Sequence, residues 1–247
     1  MILLLSWRAT QKPSKKSAAP PRATVTAVAA PSPKRLFKAT QAPLVLRHRP
    51  RGRFVVLDFE TTGLDPAYGA RIIEVSAREI VNGEPQRELC TLVDPGFAVP
   101  SFITSLTGIT TAMVRGAPRS AEVMSELAAF LGDSTVVAHN ASFDMKFLQA
   151  ESEASPGGCL CTLLLSRRVF PDRGGYSLSE ISRSLGIKLL PGMHRASADT
   201  FVTTLLFEQI YGHAKERCGG RELELSALEK IQRLTKKKVE GWFEGQA

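Results

Sequence analysis

The sequence predicts an α/β domain built on one mixed sheet, and three observations carry that expectation. Residues 54–59 (Phe-Val-Val-Leu-Asp-Phe) are nearly continuous in apolar side chains, as expected of a central strand covered on both faces. Two strand-like segments then flank Asn82-Gly83, a strong hairpin turn. From residue 120 onward, helical and strand patterns alternate.

In chain order, residues 71–81 form one arm of the hairpin and residues 87–93 the other, which Asp94-Pro95-Gly96 ends. Ser120–Leu131 has apolar residues at 123, 124, 127, 130 and 131, one helical face, and Gly132 closes it. Thr135–Ala138 reads as a short buried strand, and Asn140 as the cap of a helix over 141–151. Residues 159–169 hold a further strand or helix. Ser177 and Glu180 have the spacing of a capping box and open another helix. Residues 196–211 make the last core helix. Gly219-Gly220 then breaks the chain, and 222–239 is a charged amphipathic helix. Leu223, Leu225, Leu228, Ile231 and Leu234 line its apolar face, to dock on a partner or pack back on its own domain. These boundaries divide the chain into an N-terminal extension (1–52), a domain (53–217) and a C-terminal helical tail (218–247).

Of the 247 residues 43% are hydrophobic, enough for a substantial core. The net charge of +8 is unevenly placed: residues 1–53 contain 12 Lys/Arg and no Asp or Glu, and 54–247 contain 20 Lys/Arg against 24 Asp/Glu. The domain itself is therefore mildly acidic. Residues 9–50, rich in Ala, Pro, Ser, Thr and Lys, are expected to be disordered. Their charge offers salt-sensitive attraction to nucleic acid, or serves as a solubilising tail. Cys90, Cys159, Cys161 and Cys218 lack metal-site or disulfide-framework spacing, so free thiols and a cytoplasmic location are expected. No apolar run approaches the ~20 residues of a membrane span, so no membrane partner is expected. The run at residues 1–5 is too short for a signal-peptide core.

Asp58 and Glu60 are two apart at the end of the first strand, so their side chains share one face. Like charges beside each other repel and resist desolvation. A divalent cation relieves both costs, and oxygen ligands favour Mg²⁺ or Mn²⁺; an acidic strand end facing water is the plainer alternative. Asp144 and Asp199 each fall in the first turn of an expected helix, where an acid also complements the helix dipole. His194 and Asp199 are five apart, about 140° around a helix. They meet at one site only if His194 lies on the loop before the helix, which Gly192 makes plausible.

Three segments together carry a resemblance: Asp58-Phe-Glu-Thr-Thr-Gly63, His139-Asn-Ala-Ser-Phe-Asp144 and His194-Arg-Ala-Ser-Ala-Asp199. In order and separation they resemble the motifs of the DEDDh 3′–5′ exonucleases, the family of the epsilon proofreading subunit of bacterial DNA polymerase III. The resemblance covers about residues 53–213. It implies a ribonuclease H-like fold with a mixed, mostly parallel five-stranded sheet flanked by helices. It also implies a two-metal phosphodiester hydrolase using Mg²⁺ or Mn²⁺.

By that resemblance Asp58 bridges both metals, Glu60 and Asp199 complete the site of the attacking water, Asp144 holds the second metal, and His194 is the general base. Thr61, Thr62, Gly63, Leu64, Leu106 and Phe143 are placed around the terminal nucleotide, with Leu106–Thr110 as a substrate-side loop. The implied substrate is a nucleic acid 3′ end, DNA favoured, in proofreading or repair, with a DNA polymerase subunit as possible partner. The alternatives are RNA trimming of the ribonuclease T or oligoribonuclease type, and a non-catalytic binding module.

Overall fold

The computed structural model describes residues 37–39, 46–190 and 194–246. The expected disorder of the N-terminal extension falls largely outside the described residues, as do the apolar run at residues 1–5 and Gly192. Residues 46–52, expected within the extension, instead pack on the domain. Leu46 is buried in the core, and the His48 backbone N–H donates to Glu208 Oε1 at 2.6 Å.

The strands are β1 (Phe37–Ala39), β2 (Arg53–Thr61), β3 (Ile72–Val81), β4 (Glu84–Leu92), β5 (Thr135–Ala138) and β6 (Gly158–Cys161). They form one sheet in the order β1-β4-β3-β2-β5-β6. The expected five strands are present, and β1 adds a sixth at the edge beside β4. Parallel pairing is confined to β2/β5 and β5/β6, while β2/β3, β3/β4 and β1/β4 are antiparallel. It is a smaller share than expected, because the turn at Asn82-Gly83 and the short link 62–71 each return the chain beside the strand it has just left.

The helices are α1 (Ser101–Thr107), α2 (Thr111–Val114), α3 (Ser120–Leu131), α4 (Ser142–Glu151), α5 (Thr162–Val169), α6 (Leu178–Ser184), α7 (Ala196–Arg217), α8 (Leu225–Arg233) and α9 (Lys236–Glu244). Residues 159–169 hold both a strand and a helix. Asn140 does not cap α4; it sits at φ 61° two residues before the helix, and Ala141 occupies the cap position without a side-chain bond. Ser177 and Glu180 do form the capping box of α6. The expected helix over 222–239 is instead α8 and α9, broken at Leu234, which has an extended backbone.

Alternation along β2 fixes the two layers. Phe54 and Val56 face α5–α9, where Phe54 packs edge-on against Phe207 with ring centroids 5.0 Å apart. Val55, Leu57 and Phe59 face α3 and α4. Leu223, Leu228 and Ile231 of the C-terminal segment are buried in the first of these layers, with Leu225 and Leu234 packed against it. That apolar face is therefore covered by the chain's own domain.

The hairpin between β3 and β4 requires positive φ at both turn residues, 51° at Asn82 and 78° at Gly83. A Cβ on Gly83 would also meet Arg49 Cα at 2.8 Å. Gly83→Ala should therefore lower unfolding free energy by about 2 kcal/mol in urea titrations. Gly241→Ala, inside α9 with open space around it, should raise it by up to ~1 kcal/mol.

Candidate active site

Asp58 and Glu60 have the parity of Phe54 and Val56, so β2 turns both carboxylates toward the α7 layer. Asp199 lies in the first turn of α7. Carboxylate oxygens of Asp58, Glu60 and Asp199 lie within 4.8 Å of one another. Asp144, buried in the first turn of α4, joins them at the strand end: its Oδ1 accepts from the Phe59 N–H, between Asp58 and Glu60, at 3.2 Å. His194 is exposed on the bend before α7, at φ 66°, as the five-residue spacing requires.

The electrostatics are those of acids forced together. Burial, and then the charges of Asp144, Asp199, Glu60 and Glu74, push Asp58 well above the usual carboxylate range. Burial pushes Glu60 up to about 8, with Asp199 and Glu74 adding to it and Arg195 opposing. Asp144 also reaches about 8, mainly through burial, against the pull of the Phe59 N–H. Burial raises Asp199, while the charge and backbone N–H of His194 lower it.

The donor set suits a hard divalent cation. It is all oxygen, and none of the four acids is ion-paired to Lys or Arg among the described residues. Asp199 Oδ1 is buried without a hydrogen-bond partner among the described residues. Such an orphaned acceptor is costly unless something fills its place.

The other residues expected around a substrate divide into two groups. Thr61 and Thr62 are buried, and their hydroxyls are engaged within the turn, Thr61 Oγ1 with the Gly63 carbonyl at 2.6 Å and Thr62 Oγ1 with the Arg71 N–H at 2.9 Å. They shape the turn more than they reach outward. Leu64 is 81% exposed just beyond Gly63, and Lys146 Nζ donates to its carbonyl at 2.7 Å. Leu106 is exposed, on α1 rather than on a loop. Phe143 is half-buried against Phe147.

Two positioning residues were given no role from the sequence, although His139 opens the second motif. Glu74 on β3 lies directly across from Glu60 and is 2% exposed. It accepts from Arg195 Nη2 at 2.5 Å, from Arg195 Nε at 3.0 Å and from the Ala196 N–H at 3.0 Å, so it pins the start of α7. In the sequence it is one acid in an apolar strand. His139 bridges β5 to later segments, with Nδ1 3.0 Å from Thr162 Oγ1 and Nε2 3.0 Å from the Tyr176 carbonyl. Burial pushes it down to about 4, so it is neutral and structural.

Two outcomes follow from this arrangement. Below pH ~4.5 Glu60 is protonated whether the chain is folded or not; between about 4.5 and 8 only the unfolded chain gives up its proton. The raised acids therefore cost the metal-free protein stability as pH rises through that window. Mn²⁺ should then raise the melting temperature more at pH 8 than at pH 5.5, and an equal rise at both would count against this site. Glu74→Gln removes one side of a mostly buried pair, so it should lower stability by about 2 kcal/mol. It should also cut kcat at least tenfold in steady-state assays, by releasing the start of α7.

The comparisons with known proteins agree with this geometry. A family model described as Exonuclease matches residues 55–207. DNA polymerase III subunit epsilon of Aquifex aeolicus (strain VF5) is 38% identical over 185 residues, covering 72% of this chain and 91% of that protein. The 3′-5′ exonuclease DinG of Bacillus subtilis (strain 168) is 36% identical over 188 residues, 74% of this chain but 19% of that longer protein. Among solved structures, exonuclease X in complex with 5′ overhanging duplex DNA superposes with a TM-score of 0.56 at 26% identity, covering 71% of this chain and 98% of that one. With the ribonuclease H-like sheet and the strand-end carboxylates, these matches make the chain a member of the exonuclease family, of the DEDDh 3′–5′ type.

Proposed function

We propose that this enzyme removes nucleotides one at a time from the 3′ end of DNA, releasing nucleoside 5′-monophosphates in proofreading or repair. The observation that carries the proposal is the convergence of Asp58, Glu60 and Asp199, with the orphaned Asp199 Oδ1 among them. Asp58, Glu60, Asp144 and Asp199 would hold two Mg²⁺ or Mn²⁺ ions, whose charge stabilises the attacking and leaving oxygens of an in-line displacement.

The chain's own groups do the rest. His194, exposed beside Asp199, takes the proton of the attacking water. The Gly63 and Leu64 N–H groups have no hydrogen-bond partner among the described residues and can meet the terminal nucleotide. Leu64, Leu106 and Phe143 offer apolar surface to its base.

DNA is favoured because the relatives that resemble this chain include a polymerase III epsilon subunit and an exonuclease seen on duplex DNA. Proofreading would require a DNA polymerase partner. Four free thiols suit the reducing cytoplasm. Among the described residues no helix is long and apolar enough to cross a membrane.

Asp58→Ala and Asp199→Ala should each reduce Mg²⁺-dependent nucleotide release by at least 10³-fold while circular dichroism stays native. Unchanged release in both would remove the site assignment. His194→Ala should lose kcat while keeping Mn²⁺ affinity. Matched single-stranded DNA, mismatched duplex and RNA, with and without EDTA, decide the substrate; faster loss of RNA would replace DNA trimming with RNA trimming.

A further inference from the structure

β5 and β6 run parallel to β2, so all three strands finish on the same edge of the sheet. At the exits of β5 and β6 lies a cavity of about 510 Å³, lined by His139, Asn140, Leu163, Arg167, Tyr176 and Ser177. Continuing the β2/β5 register, which pairs Val56 with Val137, brings His139 level with Asp58, so the crevice flanks the carboxylates on the β5–β6 side. A strand whose terminal phosphodiester is seated on the carboxylates can therefore cross the crevice on its 5′ side.

Arg167 is the cation of this cavity. Its guanidinium lies over the Tyr176 ring, 5.7 Å from the centroid, in cation–π contact. The ring is a fixed shelf, because the Tyr176 hydroxyl donates to the Phe170 carbonyl at 2.6 Å and its backbone carbonyl is held by His139. Among the described residues no carboxylate or carbonyl engages the Arg167 N–H groups. The carboxylate on the rim, Glu180, is instead engaged by the Ser177 hydroxyl and N–H. Asn140 also lines the cavity, exposed and at φ 61°; its side-chain Oδ1 accepts from the Ser142 hydroxyl at 3.4 Å, and its side-chain amide NH₂ has no hydrogen-bond partner among the described residues. A plain role for Arg167 is to complement the last turn of α5. Any cation serves there, and Arg168 in the same turn already donates from Nε to the Leu234 carbonyl at 2.5 Å.

We propose that Arg167, shelved on Tyr176 and assisted by Asn140, binds a phosphodiester of the substrate strand on the 5′ side of the scissile bond. This rests on the nuclease function proposed above. A planar guanidinium with free donors matches a phosphodiester bidentately, and the cation–π contact with Tyr176 keeps it at the cavity. The site is indifferent to base and sugar, so it sets how much strand the enzyme needs rather than which sequence it takes.

The test compares two substrates, a single-stranded DNA 12-mer and the p-nitrophenyl ester of thymidine 5′-monophosphate, which has a single phosphodiester and nothing upstream. Arg167→Ala should raise KM for the 12-mer about tenfold with kcat nearly kept, and change kcat/KM for the ester by less than twofold. The slope of log(kcat/KM) against log salt on the 12-mer should become shallower by about 0.7. Arg167→Lys should recover part of the loss. An equal loss on both substrates, or an unchanged KM for the 12-mer, would overturn the proposal. If the wild-type protein hydrolyses neither substrate, the nuclease function fails. Fluorescence anisotropy of the 12-mer on wild type and Arg167→Ala then still decides the phosphate contact: tenfold weaker binding supports it and equal binding overturns it.

Discussion

Four carboxylates held at one strand end are the constraint around which this protein is organised. Two unit charges 4 Å apart repel by about 4 kcal/mol at an effective dielectric constant of 20. The cluster contains several such pairs, with Glu74 adding its charge from the neighbouring strand. A flexible peptide bearing these residues would relax by separating them. Here separation is blocked, because β2 pairs with β3 along its whole length and with β5 over residues 54–56, and its apolar residues are buried on both faces.

The helices that bring the remaining acids are tied down by contacts of their own. α7 is held at its start by the bonds of Glu74 to Arg195 and Ala196. α4 is held through Asp144 and the Phe59 N–H. His139, just ahead of α4, ties the exit of β5 to Thr162 and to the Tyr176 carbonyl. Glu74 has a double effect. It adds to the repulsion it helps to contain, and its partner Arg195 partly offsets that through Glu60. The protein thus keeps a geometry that its own charges oppose and that a bound cation would favour.

Much of this was legible in the sequence. Period-two parity placed Asp58 and Glu60 on one face, and the five-residue spacing placed His194 off the helix that carries Asp199. The hairpin and the capping box at Ser177 are local chemistry, so a few residues declare them. What escaped was tertiary. Glu74 reads as a stray acid in an apolar strand until its register opposite Glu60 is known. Asn140 has the composition of a cap, but its backbone takes the left-handed conformation two residues before the helix. α1 and α2 are short and expose Phe102, Leu106 and Met113, so no clear apolar periodicity announces them. The break at Leu234 depends on packing against the rest of the domain, which an amphipathic pattern running through it does not reveal.

The seam between the two halves of the sheet has a consequence for how the molecule comes into being. On one side of β2, β3 and β4 follow it directly in the chain and pair through short-range contacts. On the other side β5 and β6 arrive later in the chain, and the clamp from Glu74 of β3 to Arg195 spans 121 positions. Closing a loop of that length costs entropy before the contact repays it. The charged centre therefore draws on chain from Asp58 to Asp199, so a molecule in which α7 has not yet docked lacks one of its carboxylates.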